Sequence, residues 1–225
     1  MRTTSECLKA CLFSLFVLAQ PATAEPKDGF VRLANALTQG TGRLTMEIDG
    51  ANVNAKGYKP GDVTGGISLL TGVRTVRFSR EGVMAGNTRV KVAPNETTIL
   101  IPFAERVPAT DDAPAHWAIR ILRLKQRDSE KGRSASFVSV SQNPEIRVNM
   151  RDPDGMWTPV YVKRLAVTQA PIRFPRGYVP LKTAAGDLAS IPVASKGNYV
   201  VLLYDDEQGM VRSVNFKDRK YLSAD

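Results

Sequence analysis

Two stretches about a hundred residues apart carry one pattern, and a chain that uses a pattern twice is committed to a duplicated architecture. The first, Thr88 to Phe103, reads T-R-V-K-V-A-P-N-E-T-T-I-L-I-P-F; the second, Ser190 to Tyr204, reads S-I-P-V-A-S-K-G-N-Y-V-V-L-L-Y. Val92-Ala93 matches Val193-Ala194. Ile99, Leu100 and Ile101 match Val200, Val201 and Leu202, and Phe103 matches Tyr204. Runs rich in β-formers on either side of a short polar break read as two strands around a tight turn. The expectation is a hairpin used twice, and so a duplicated β module.

The rest of the chain supports short strands and frequent turns. Phe30 to Asn35 is a run of β-formers, and Leu44, Met46 and Ile48 alternate with polar residues before the Asp49-Gly50 turn signal. Val73 to Phe78, Trp117 to Leu124, Phe137 to Ser141, Pro159 to Val167 and Met210 to Phe216 are further strand candidates. No amphipathic helical period of useful length interrupts them. The fold class expected is all-β, with two tandem immunoglobulin-like, antiparallel β-sandwich domains. The Pro- and Asp-rich segment around Arg106 to Pro114 reads as the linker, giving domains at 25–106 and 117–225 with a linker at 107–116. Val31-Arg32-Leu33 then aligns with Ile119-Arg120-Ile121. That offset is about a dozen residues shorter than the offset between the two repeated stretches, which implies an insertion between Asn143 and Thr158.

The N-terminus reads as a targeting segment. Arg2 and Lys9 precede the apolar run Ala10 to Ala19, and Pro21-Ala22-Thr23-Ala24 ends in an A-x-A pattern. This is a secretory signal over residues 1–24, and its apolar run is too short to span a bilayer. The expected compartment is the periplasm. Both cysteines, Cys7 and Cys11, lie in the signal, so the mature chain has neither disulfides nor thiol chemistry. Of 31 basic and 22 acidic residues, the signal holds Arg2, Lys9 and Glu6; 29 and 21 remain, a net charge of +8. Such a chain is suited to anionic polymers or acidic protein surfaces. Nucleic acid is a poor target for a secreted chain with few interleaved aromatics.

Candidate chemistry is sparse. His116 is the only histidine, and it falls in the expected linker. There is no G-x-S-x-G and no HExxH run. Asp152-Pro-Asp-Gly155 and Asp205-Asp206-Glu207 read as turns, not as metal loops, because they lack the later ligands of a calcium site. No metal, no cofactor and no catalytic residue is expected, although a glycosidase using paired carboxylates alone is an alternative. The densest basic stretch runs from Arg120 to Arg133. Within it Arg123, Lys125 and Arg127 would share one strand face, a candidate binding site for carboxylates or phosphates.

Phe30-Val-Arg-Leu-Ala-Asn35, Leu70-Thr-Gly-Val-Arg-Thr-Val-Arg77 and the Val-Lys-Val…Thr-Thr-Ile-Leu-Ile stretch resemble the first β-sandwich of the AlgF family, accessory proteins of alginate O-acetylation. The segment opening at Ile119 resembles the second sandwich. The resemblance implies a periplasmic, non-catalytic accessory protein. Its partners would be other periplasmic or inner-membrane proteins of a polysaccharide acetylation system and an anionic polysaccharide. The alternative is a cell-envelope adhesion or carbohydrate-binding protein of an unrelated pathway.

Overall fold

The computed structural model describes residues 28–127 and 132–221, and every regular element in them is a strand. The expected signal, 1–24, lies outside the described residues. Eight strands precede the break: β1 (Asp28–Leu33), β2 (Thr41–Ile48), β3 (Ala51–Asn52), β4 (Ile67–Leu70), β5 (Gly72–Glu81), β6 (Val83–Val92), β7 (Thr97–Val107) and β8 (His116–Lys125). Eight follow it: β9 (Arg133–Ser139), β10 (Glu145–Arg151), β11 (Trp157–Lys163), β12 (Val167–Pro171), β13 (Gly177–Thr183), β14 (Gly186–Val193), β15 (Gly197–Asp205) and β16 (Val211–Lys217).

The strand orders are the same in both halves. The second half has two sheets, β11-β10-β13-β14 and β12-β9-β15-β16. The first half has β3-β2-β5-β6 continuing into β8-β7-β1-β4. The two parts are joined at one corner, where Met84 of β6 pairs in parallel with Ala118 of β8. A Cβ on Gly86 would lie 2.5 Å from the Ile119 carbonyl oxygen, so only glycine allows β6 and β8 to approach this closely. The matching corner of the second half is closed by side chains: Ser213 Oγ accepts from the Ala189 N–H (3.1 Å), and Asn215 Nδ2 donates to the Ala189 carbonyl. The sandwich architecture expected from the sequence is present. The two modules also share an equivalent parallel pair among their antiparallel ladders, β1 with β7 and β9 with β15.

Three expectations are corrected by the pairing. First, the repeated stretches are not hairpins. β6 and β7 do not pair with each other and belong to the two parts of the joined sheet, and β14 and β15 lie in different sheets, so residues 93–96 and 194–196 are arches that carry the chain across the sandwich. Second, residues 107–116 are no linker between domains. They form the loop of a hairpin in which β7 and β8 pair from Thr98↔Lys125 to Val107↔His116, and the second module opens at β9. Third, 143–158 is no insertion. It holds β10, the turn after it and the start of β11, which correspond to β2 and β3 of the first module. The parallel registers give the true alignment: Leu33 sits opposite Leu100, and Phe137 sits opposite Val201. β1 therefore matches β9, and β8 matches β16.

The modules pack through equivalent sheets. Leu100 points into the first module's core, while Ile99, Ile101 and Phe103 point the other way. Val201 and Leu203 likewise face the second core, with Val200 and Leu202 turned outward. The outward sets meet in a third apolar cluster, completed by Ala34, Ala36, Val138, Val140 and Phe216. β7 and β15 are thus covered on both faces, which is why their sequences read as unbroken apolar runs. Each large side chain buried here contributes about 1.5–3 kcal/mol by leaving water. The rim contacts are reciprocal. Thr38 Oγ1 donates to the Asp205 carbonyl (2.9 Å), and its counterpart Gln142 donates through Nε2 to the Ala104 carbonyl (3.2 Å), the counterpart of Asp205. Glu105 pairs with Arg120 and, at the matching position, Asp206 pairs with Arg212. Contacts that exchange in this way are the mark of an isologous interface, here inside one chain.

Candidate functional site

The two arches fall beside two surface depressions that share a wall. The larger, about 750 Å³, surrounds the arch 194–196 and is lined by Lys196, Lys217, Asp218, Arg219 and Lys220 among others. The smaller, about 300 Å³, borders the arch 93–96 and is lined by Asn95, Glu96, Lys125 and Lys220. Lys220 lines both. This end of the molecule gathers five cations against Glu96 and Asp218.

Local chemistry sets the shape of the larger depression. The Tyr199 hydroxyl accepts from the N–H groups of Ala194 (3.0 Å) and Ser195 (3.2 Å) and donates to the Ser195 carbonyl (2.9 Å). One side chain thus holds the arch. Lys217 crosses Gly197, where a Cβ would meet its Cε at 2.9 Å, and donates through Nζ to Ser195 Oγ at 2.6 Å. Beneath, a polar network ties the wall together. Asn198 Oδ1 accepts from Ser134 and Ser136, both at 3.1 Å, and Asn198 Nδ2 donates to Asp218 Oδ2 at 3.3 Å. The same carboxylate oxygen accepts from the Arg127 N–H at 2.8 Å. Asp218 is buried, so its charge serves this network, while Lys196, Arg219 and Lys220 extend into solvent. Such exposed groups attract carboxylates and phosphates, the lysines as point charges and Arg219 through its guanidinium fork.

The basic residues singled out from the sequence divide. Lys125 lines the smaller depression and is exposed. Arg127 follows the end of β8; its side chain is exposed and its backbone is anchored by Asp218. Arg123 is set back on β8 and donates through Nη1 to the Arg89 carbonyl (3.0 Å), bridging toward β6. All three are exposed at alternate positions of the chain. Lys131 lies outside the described residues. His116 is not in a linker: it begins β8, half-buried, with Nδ1 3.1 Å from the Pro114 carbonyl. The two acidic clusters are used in turns. Asp152 Oδ2 accepts from Thr158 Oγ1 (2.6 Å) and pairs with Arg173. Asp205 accepts from Ser141 Oγ and the Gln142 N–H, across the loop that follows β9. Asp206 accepts from the N–H groups of Gln208 and Met210 and from Arg212.

Sequence reasoning missed Lys196, Lys217, Arg219 and Lys220. The signal was present, because Lys196 stands in the polar break of the repeat itself. Its partners come from the chain end, which folds back: the Tyr221 ring lies 5.5 Å from that of Phe30. The interface residue Arg32 is buried and donates to the carbonyls of Thr64 and Lys217, both at 3.1 Å. Its guanidinium lies 4.9 Å from the Phe216 ring centroid. Burial, partly offset by Tyr221 and Asp218, holds its pKa below the usual arginine value.

No protein-family model matches the chain, and no curated protein does so significantly. Among solved structures, the Bacillus anthracis TIE protein aligns over 84% of this chain at 10% identity and a TM-score of 0.25. The chain spans about half of that protein's, 51%. A likeness at that TM-score supports no argument.

Proposed function

We propose that this protein is a periplasmic, non-catalytic accessory factor in exopolysaccharide O-acetylation, acting by contact with acidic surfaces of its partner proteins. The observation that carries the contact is the basic end. Two copies of one sequence element fold into arches beside joined depressions, and Lys125, Lys196, Lys217, Arg219 and Lys220 line them. The pathway rests on the resemblance to the AlgF family. A rigid two-module body supports a scaffolding role, because an interface held on both sides by packed sheets fixes the arches relative to each other.

Deletion of the gene, followed by NMR measurement of acetyl groups on the secreted polymer, tests the reading. The polymer should still be made but should lose acetylation, and the wild-type gene should restore it. The charge reversal Lys125→Glu, Lys196→Glu, Lys220→Glu should fold normally and fail to restore it. Normal acetylation in the deletion strain would refute the accessory role. Full rescue by the reversed protein would refute the basic end as the contact.

A further inference from the structure

We infer that the open face of the sheet β11-β10-β13-β14 binds an acidic polysaccharide, a chain of uronic-acid sugars. On these strands Ile146, Val148, Met150, Val160, Val162, Val179 and Leu181 face the core. The alternate positions face water. The registers Arg147↔Tyr161, Asn149↔Pro159, Arg151↔Trp157 and Asn149↔Lys182 place them side by side. Tyr161 is 52% exposed and Tyr178 is 72% exposed. Trp157 lies between them in row order, with Lys182 Nζ 4.1 Å and the Arg151 guanidinium 6.0 Å from its ring centroid. Lys163 and Arg147 continue the cationic series beside Tyr161. The acids of the face, Glu145 and Asp187, stand at its margins, opposite Lys163 and Lys182 respectively.

Rings and cations side by side on an open sheet face match one ligand chemistry. A pyranose ring presents a face of C–H bonds that packs on an aromatic ring, and a uronate adds a carboxylate beside it. Arginine receives a carboxylate through its fork, and lysine receives it as a point charge. The cation over Trp157 is held by the ring's quadrupole, so it is positioned before any ligand arrives. The first module supplies an internal comparison. Its equivalent face, β3-β2-β5-β6, also carries cations, Arg77, Arg89 and Lys91, but presents no aromatic ring there; Val73 pairs with Lys91. The same scaffold thus has one face suited to general anions and one equipped for sugars. This inference rests on the proposed role in the polymer pathway and assigns the polymer a surface separate from the basic end.

The chain has two tryptophans, so in a Trp117→Phe background the fluorescence reports Trp157 alone. Polymannuronate oligosaccharides should change that fluorescence in a saturable way, and neutral mannan oligosaccharides of the same length should not. Tyr161→Ala with Tyr178→Ala, and separately Arg151→Glu, should each weaken binding by about tenfold or more. Arg89→Glu with Lys91→Glu on the first module should change it by less than about twofold. Absence of saturable binding, or equal losses from the two modules' variants, would overturn the inference. So would polyglutamate binding as tightly with the same dependence on Tyr161 and Tyr178, which would make the face a site for acidic protein. The readout is binding by the purified protein, so its failure is separable from a failure of the acetylation experiment.

Discussion

Leu202 and Leu203 are neighbours on β15, both with no exposed surface, and they point into different cores. Leu202→Ala therefore probes the interface between modules, and Leu203→Ala probes the second module alone. Truncating a buried leucine costs about 2–5 kcal/mol from lost transfer energy and the remaining cavity. If the modules unfold as one unit, each kcal/mol lowers Tm by about 2–4 °C, the value for chains of this size. A loss of about 3 kcal/mol thus gives a drop of about 6–12 °C. Differential scanning calorimetry should show one transition for the wild type, with calorimetric and van't Hoff enthalpies in agreement. Leu203→Ala should shift that single transition. Ile101→Ala with Leu202→Ala removes bulk from both sides of the interface and should split it into two. A Leu202→Ala protein within about 0.5 kcal/mol of wild type, or two separate transitions already in the wild type, would refute the coupled interface.

Tyr199→Phe deletes one oxygen and leaves two N–H groups and one carbonyl of the arch without their partner. With water able to reach the exposed Ala194 and Ser195, the expected cost is about 0.5–1.5 kcal/mol in a urea titration, with an unchanged m value. Acid should also weaken the protein through the turn after β15. Desolvation pushes the Asp206 carboxyl up, but the hydrogen bonds from Arg212 and the N–H groups of Met210 and Gln208 outweigh it, and the pKa lies below the ordinary aspartate value of 3.8. Its contribution is complete above 3.8 and is lost as pH falls through the lower folded value. Asp206→Asn should therefore lower Tm at neutral pH, where the contribution is complete, and flatten the fall of Tm below about pH 4.

The strand runs around Phe30, Leu44, Val73 and Ile99 were legible because period-two alternation or a doubly covered apolar run marks them directly. The duplication was legible too, since equivalent residues perform equivalent packing. The pairing partners were not. An arch and a hairpin have the same local signature, strand, polar break, strand, and differ only in whether the second strand turns back onto the first or crosses to the other sheet. The alignment of Val31 with Ile119 then hid β10, even though Ile146, Val148 and Met150 alternate plainly: a strand opening the second module was sought at β8, which belongs to the first. The cations of the basic end were harder, because Lys125, Lys196 and Lys220 are far apart in sequence and are brought together by the fold alone. The rings of the open face were visible as residues but not as a surface, since only register places Tyr161 beside Arg147.

The reciprocal interface has a consequence for concentration. Two equivalent sheets that pair face to face would, as free modules, associate with an equilibrium set by how much protein is present. Joined in one polypeptide they meet at an effective concentration on the order of millimolar, whatever the dilution outside. Assembly then costs no encounter between separate molecules, and the melting temperature does not depend on protein concentration, as it would for a homodimer. One gene product also need not keep its halves identical. A substitution in a true homodimer appears twice, whereas here Trp157, Tyr161 and Tyr178 occur on one face with no obligation to appear on the other.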